Sequence, residues 1–272
     1  MQTHSKVVLI TGASSGIGRA AARHLAELGY RVYGTSRGAC PDTGGVTMLQ
    51  MDVTDADAVS AGIQTILARE GRLDVVVNNA GFGYGGAVEE TSIDEARATF
   101  ETNVFGVLRV CRAALPVMRA QGAGLIVNVS SIGGLMGMPF QGLYAASKFA
   151  VEGLTETLRM EVKAFGIDVV LLEPGDIRTD FTARRRTTAE AAASDIYREQ
   201  YARTLDKIAA DEQGGADPQV AAKTLARILA SRRPRLRYTT GPVYQKLAVF
   251  VKRIVPHALF EWVLMQNFAM KR

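Results

Sequence analysis

Short runs of Val, Ile and Leu recur along this chain between stretches of helical period, and that alternation constrains the fold more than any other feature. The runs are Val7 to Ile10, Arg31 to Thr35, Thr47 to Met51, Leu73 to Asn78, Leu125 to Val129 and Val169 to Leu172. Each is short, β-branched and nearly all apolar, as strands covered on both faces must be. Helical period fills the gaps near 17–28, 55–69, 92–119 and 144–165. Strands alternating with helices build βαβ units around a parallel sheet. The expectation is therefore an α/β chain: a Rossmann-like, doubly wound parallel β-sheet flanked by helices, in a single domain over 1–272. Over about 181–215 the period lapses, with Arg184, Arg185 and Arg186 leading into an Ala-rich stretch and Gly214-Gly215, which reads as an insertion or lid. A helix near Pro218 to Ala230 and a strand near Leu236 to Thr239 complete the sheet.

Composition narrows the class further. At 47% hydrophobic and 22% charged, 272 residues bury a sizeable core and do not stay disordered. Cys40 and Cys111 are the only cysteines, too few for a disulfide framework and without a Cys/His spacing for zinc. No metal is expected, and a reducing, cytoplasmic setting is. No apolar segment precedes the first strand, and no run approaches the ~20 residues that cross a bilayer. The net charge of +5 belongs to one end: residues 231–272 hold nine Lys or Arg against Glu261 alone, leaving 23 − 26 = −3 elsewhere. A basic excess confined to an amphipathic end argues against a nucleic-acid partner.

Val7 to Ile10 runs into Thr11-Gly12-Ala13-Ser14-Ser15-Gly16-Ile17-Gly18, a strand, a glycine turn and a helix start. Glycines there let the backbone approach a pyrophosphate, whose charge meets free amides and the positive end of the helix. At the end of the second strand an acid would take ribose hydroxyls, whereas an Arg accommodates a 2′-phosphate. This strand ends Gly34-Thr35-Ser36-Arg37, so NADP(H) is expected over NAD(H), through Arg37 with Ser36 as helper. Asp52, closing the third strand, suits adenine, or equally the N-terminus of the next helix.

Tyr144 and Lys148, four apart on a helix, share one face. A phenol has an unperturbed pKa near ~10, and an ammonium one turn away favours phenolate, which suits Tyr144 to proton exchange. Ser130 and Ser131 close the strand Leu125 to Val129, at the carboxyl edge where doubly wound folds place ligands, and a hydroxyl there can donate to a substrate carbonyl. Asn103 is polar on an apolar helical face and must cap backbone or hold water.

Together, Thr11-Gly12-xxx-Gly16-Ile17-Gly18, Asn78-Asn79-Ala80-Gly81, Asn103, Ser131, Tyr144-xxx-Lys148 and Pro174-Gly175 resemble, in order and spacing, the compact branch of the short-chain dehydrogenase/reductase family, over residues 5–182. The resemblance implies that Tyr144 is the catalytic acid or base, that Lys148 lowers its pKa and bonds the nicotinamide ribose, that Ser131 orients the carbonyl, and that Asn103 anchors a proton-relay water. It implies further cofactor contacts from Ser14, Ser15, Val53, Ala80, Gly81, Pro174, Gly175, Ile177 and Thr179, with Asn79 supporting the adenosine side. A homo-oligomer, dimer or tetramer, through the helices near 92–119 and 144–165 is implied as well. A fold of this kind that senses NADP without turnover is the alternative, opposed by the intact Ser131, Tyr144 and Lys148.

Substrate walls are expected from Ile132 to Leu143, the insertion and the C-terminus, with Leu135 and Phe140 as contacts beside Met136, Met138, Phe82 and Tyr84. These favour an apolar alcohol, ketone or aldehyde, taken as a small-molecule substrate, over a sugar or small acid, and the chain resembles members that act on steroids, retinoids and lipids. Arg184 to Arg186 could meet an anionic head group, although a charge run in a loop is usually solvated. In the extension of about 241–272, Val243, Leu247, Phe250, Val251 and Ile254 mark one helical face and Gln245, Lys246, Lys252 and Arg253 the other; past Pro256, Leu259, Trp262, Val263 and Phe268 suggest a second apolar face. Such a segment covers the active site, forms a subunit interface, or lies on the surface of an anionic membrane.

Overall fold

A computed structural model describes residues 5–268 and 270. Seven strands, all parallel, form its main sheet: β1 (Val7–Ile10), β2 (Arg31–Ser36), β3 (Val46–Gln50), β4 (Val75–Asn78), β6 (Gly124–Val129), β7 (Ile167–Pro174) and β9 (Arg237–Thr240), with the two-residue β5 (Tyr84–Gly85) standing outside it. Their order is β3-β2-β1-β4-β6-β7-β9, so the chain reverses its direction of progress between β1 and β4. That switch opens a crevice beyond the carboxyl ends of the strands, where ligands of open α/β sheets bind.

Alternation along β1 shows why both faces need helices. Val7 and Leu9 enter one core with Val59, Ile63 and Ile66 of α2 (Ala56–Glu70), Val110 and Met118 of α4 (Gly106–Gln121) and Val151 of α5 (Gly142–Glu161). Val8 and Ile10 enter the other, with Ala21, Ala22 and Leu25 of α1 (Gly16–Glu27) and Leu225 and Ile228 of α9 (Pro218–Ala230). Asp55 caps α2, accepting from the amides of Asp57 and Ala58, and Asp217 caps α9 ahead of Pro218 at its first turn.

Two departures from the sequence reading matter for the site. The single helix expected near 92–119 is α3 (Ile93–Phe100) and α4 joined by a π-helical turn, Glu101–Phe105, that contains Asn103. Such turns re-aim one side chain within a continuous helix. The stretch 181–215 is also far from irregular: it holds α6 (Phe181–Arg184), β8 (Arg186–Thr187), α7 (Ala189–Ala193) and the sixteen-residue α8 (Arg198–Gln213). α8 buries only Tyr201, Thr204 and Ile208, so its apolar stripe is too thin to show as periodicity. β8 pairs in parallel with β5, tying this lobe to the loop after β4. Two helices end the chain, α10 (Val243–Lys252) and α11 (His257–Asn267), separated near Pro256. No described helix is long and apolar enough to cross a membrane.

Candidate active site

At the carboxyl edge, the glycine turn is locked before any ligand arrives. The Thr11 hydroxyl accepts from the amides of Asn79 and Ala80, each at 3.0 Å, and Asn79 Nδ2 returns bonds to the carbonyls of Thr11 and Gly12 at 2.9 and 3.1 Å. β1 and β4 are thus bolted together at the switch point through Thr11 and Asn79. Gly12 and Gly16 have φ of +65° and +53°, a region closed to most side chains. A Cβ on Gly18 would strike the Gly12 carbonyl and the Asn79 amide, and one on Gly81 would stand 3.1 Å from Asn103 Oδ1. Ser15 precedes α1 in extended backbone with no side-chain cap, leaving the first amides of a twelve-residue helix for a ligand. Ser14 and Ile17, either side of it, are partly exposed within the same turn. This bare, cradling backbone fits a dinucleotide pyrophosphate.

Arg37 follows β2 with its side chain exposed, and no acid stands at that strand end; Ser36 is its last residue. Asp52 does not cap a helix, because Asp55 does. Its Oδ1 accepts from Thr54 N and Thr54 Oγ1, both at 2.9 Å, which fixes the carboxylate at the end of β3. Val53 buries its side chain, and a Cβ on Gly106 of α4 would lie 2.8 Å from its Cγ2, so any contact Val53 makes with a nucleotide is through its backbone. Beyond β7, the Gly175 amide bonds the Thr240 carbonyl at 2.7 Å, Ile177 is buried and bridged to Ala216, and Thr179 packs against the Gly16 Cα. Pro174, buried at the end of β7, presents its carbonyl to Ser131 Oγ at 3.4 Å.

The reacting groups converge from three elements. Lys148 is buried, with Nζ 2.9 Å from the Val129 carbonyl and 5.8 Å from the centre of the Tyr144 ring. Burial pulls its pKa down to about 8, against the pull of nearby Glu152. The Tyr144 phenol is pushed by burial up to about 12, with the Ser131 hydroxyl acting in the opposite direction. Burial thus favours the neutral phenol of Tyr144, the form that can donate a proton. Ser131 Oγ also accepts from the Gly133 amide at 3.0 Å, which orients the hydroxyl.

Asn103 takes the backbone-capping alternative of the two its sequence position leaves. Its Nδ2 donates to the Phe82 carbonyl at 2.8 Å and to Ser147 Oγ at 3.0 Å, and its Oδ1 accepts from the Phe82 amide at 3.0 Å. Ser147 Oγ in turn donates to the Tyr144 carbonyl at 2.7 Å. The carboxamide is spent on protein, and what it holds is the loop carrying Phe82 and the backbone of Tyr144.

The expected pocket walls divide. Phe140, at φ 58°, is largely buried with its ring 6.1 Å from that of Tyr197 and 5.4 Å from that of Tyr201, and it lines a surface cavity with Tyr197, Pro139 and Ala87 beside the lobe of α7 and α8. Leu135 packs with Ile132, Met136, Val249 and Phe260 beneath the C-terminal helices. The residues against Tyr144 are others: the Phe181 ring lies 5.6 Å away, and a Cβ on Gly83 would lie 3.1 Å from Tyr144 Cδ2. Phe181 sits in the stretch where periodicity gave no guide, which is why it escaped notice.

The arginine run is not simply solvated. Arg184 Nη1 donates to Ser15 Oγ at 2.8 Å, over the glycine turn; Arg185 is buried in an ion pair with Glu212; Arg186 lies 5.1 Å over the Phe82 ring. Behind Lys148, Arg237 binds Glu152 at 3.0 Å, Glu173 at 3.0 Å and the more exposed Glu156. Glu152 lies one turn beyond Lys148 on α5, and burial raises its pKa to about 7. The regular spacing of Tyr144, Lys148 and Glu152 was the available signal for it.

A family model for short chain dehydrogenases matches residues 6–190. The chain belongs to that family. It is 41% identical over 266 residues to 3-ketodihydrosphingosine reductase of Bacteroides thetaiotaomicron, covering 98% of this chain and 99% of the relative. Retinol dehydrogenase 8 of Bos taurus is 35% identical, with 98% and 94% covered. A short-chain dehydrogenase from Streptomyces avermitilis superposes with a TM-score of 0.83 at 36% identity, over 98% of this chain and 99% of that one. A Burkholderia phymatum member in complex with NAD does so at 0.78 and 29%, over 96% of each. This short-chain dehydrogenase is thus an oxidoreductase acting on CH–OH groups with a nicotinamide dinucleotide.

Proposed function

We propose that this enzyme uses NADP(H) to interconvert a secondary alcohol and a ketone on an apolar, lipid-like substrate, with the keto group of a long-chain sphingoid base as the leading candidate. The observation that carries the reading is the apolar crowding of the Tyr144 phenol by Phe181 and Gly83, with the Met138 methyl 2.8 Å from where a Cβ on Gly133 would stand. A full-length relative named for a sphingoid ketone supports it.

In this mechanism Gly12, Ser14 to Gly18, Asn79 to Gly81, Pro174 to Thr179 and Lys148 hold the dinucleotide, and Arg37 with Ser36 meets a 2′-phosphate. NADPH, when bound, supplies the hydride. Ser131 donates to the substrate carbonyl oxygen and fixes its approach. Tyr144, neutral at working pH, gives its proton to that oxygen as negative charge develops on it. Lys148 lies close enough to stabilise the phenolate left behind, and Asn103 with Ser147 keeps the Tyr144 backbone in place. In oxidation the same proton returns to the phenolate.

The enzyme works as a homo-oligomer in the cytoplasm, through outward Phe105 and Leu108 on the continuous π-turn and α4, and Phe149 on α5, all exposed in the single chain. Steady-state turnover of a long-chain 3-keto sphingoid base, beside steroid and retinoid carbonyls, tests the substrate. Preference for the sphingoid ketone supports the proposal; preference for a short polar ketone refutes it.

A further inference from the structure

The C-terminal helices sit the wrong way round for a soluble protein. Along α10 and the turn that follows it, Val243, Leu247, Phe250 and Ile254 fall at i, i+4, i+7 and i+11 and so lie on one side. That face points outward: these side chains are 79%, 59%, 60% and 67% exposed. On α11, Leu259, Trp262 and Val263 extend the exposed apolar surface. The inward face of α10 is the more polar one. Gln245 brackets the turn after β7, its Oε1 accepting from the Asp176 amide at 2.8 Å and its Nε2 donating to the Asp176 carboxylate, while Lys252 donates to the Leu135 carbonyl. Val249 and Phe260 alone are buried, against Ile132 and Met136. Polar latches and a small apolar cluster, in which Val249, Ala248, Val255, Phe260 and Leu264 pack with Ile132, Leu135 and Met136, therefore hold the pair of helices in place and leave a separate apolar stripe uncovered.

The charge around the stripe tells what covers it. Lys246 and Arg253, a turn to either side of Phe250, are exposed along its border. Glu261 is the only acid between 231 and 272. A second copy docking this face on itself by two-fold symmetry would set cations against the same cations. An anionic bilayer offers both an apolar interior for the stripe and phosphate for its rim. No described helix can span a membrane, so the geometry is that of a segment lying in the plane of the surface.

We propose that α10 and α11 form a docking surface for an anionic lipid bilayer, with Val243, Leu247, Phe250, Ile254 and Trp262 entering the acyl boundary and Lys246 and Arg253 meeting head-group phosphates. This surface stands apart from the substrate reading: it rests on exposure and charge outside the catalytic groups.

Trp262 is the only tryptophan of the chain, so its emission reports the event directly. The full-length protein is mixed with vesicles of phosphatidylcholine alone and of phosphatidylcholine with phosphatidylglycerol, and floated on a density gradient while Trp262 emission is read. The expected result is co-flotation and a blue shift with the anionic vesicles only. L247D/F250D loses at least tenfold in apparent affinity, and K246E/R253E at least about 25-fold, since each basic residue near such a surface contributes about fivefold; turnover of a water-soluble ketone is unchanged in both. The proposal is overturned if neither vesicle binds, if both bind equally, or if Trp262 is already shielded without vesicles and L247D/F250D converts an oligomer to a smaller species, which would make the face a subunit interface.

Discussion

Replacing Glu152 by Gln makes the fold less sensitive to pH. Glu152 is buried beside Glu173 with one guanidinium, that of Arg237, between them, and Oε1 of Glu152 is left without a hydrogen-bond partner. Its pKa of about 7 lies above the ordinary 4.5. The folded state therefore holds this proton more tightly than the unfolded chain does. Stability from the group is greatest below the unfolded value, falls as pH rises through the interval from 4.5 to about 7, and is flat above it. The difference of 2.5 corresponds to about 3 kcal/mol at ~1.36 kcal/mol per unit, and solvent reaching the network past Glu156 lowers this to about 1–3 kcal/mol. Urea unfolding of the cofactor-free protein at about pH 5 and about pH 8.5 measures it. E152Q keeps a polar side chain beside Arg237, so it should match the parent at the lower pH and exceed it by about 1–3 kcal/mol at the higher. Asp176, raised to about 6, acts with the same sign in both proteins and cancels in the comparison, whereas Glu173, coupled to Glu152 through Arg237, is relieved of a neighbouring charge in E152Q and adds to the gain at the higher pH. Parallel pH profiles for parent and variant, or an equal loss at both values, would refute the reasoning. Because Glu152 helps keep Lys148 charged, E152Q should also lower the pKa of Lys148 further below about 8 and move the alkaline limb of the rate profile toward acid.

R37D should move cofactor preference from NADPH toward NADH by tenfold or more in kcat/KM, an acid at that strand end favouring the free ribose hydroxyls; an unchanged ratio would remove Arg37 from the site. G18A, whose new methyl presses on the Gly12 carbonyl and Asn79, should cost about 1–3 kcal/mol of stability and weaken dinucleotide binding at least tenfold, read by urea unfolding and nicotinamide fluorescence. N103A leaves the Phe82 amide and carbonyl without their partner and should cost about 1–3 kcal/mol in stability together with a fall in kcat, whereas N103A with full kcat would show that the Phe82 and Ser147 bonds position nothing.

Most of the sheet was legible because a strand covered on both faces writes its burial directly into sequence, as Val7 to Ile10 and Val75 to Asn78 do. The grouping of Ser131, Tyr144 and Lys148 was legible for a related reason: Tyr144 and Lys148 share a helical face, and Ser131 follows a strand at the carboxyl edge. Its electrostatics were not, since spacing shows the ammonium near Tyr144 but not the burial that pushes the phenol up. Asn103 shows the same limit, because its partners are the Phe82 backbone and Ser147, and neither can be inferred from helical spacing once a π-turn intervenes. α8 escaped because it is held by ion pairs such as Lys207 with Asp211 and buries only three side chains. The orientation of α10 was hidden for the opposite reason: its amphipathicity is plain, but sequence shows two faces without showing which one the core takes.

Tyr144 as the proton donor to a lipid ketone is tested most directly by single-turnover oxidation of NADPH with a long-chain 3-keto sphingoid base, in the parent and in Y144F, after titration of each with NADPH and NADH by nicotinamide fluorescence. The expected result is tighter binding of NADPH than of NADH, equal in both proteins, with a rate about 10²–10⁴-fold lower in Y144F. A Y144F protein that turns over at the parental rate would contradict the assignment of the proton to Tyr144.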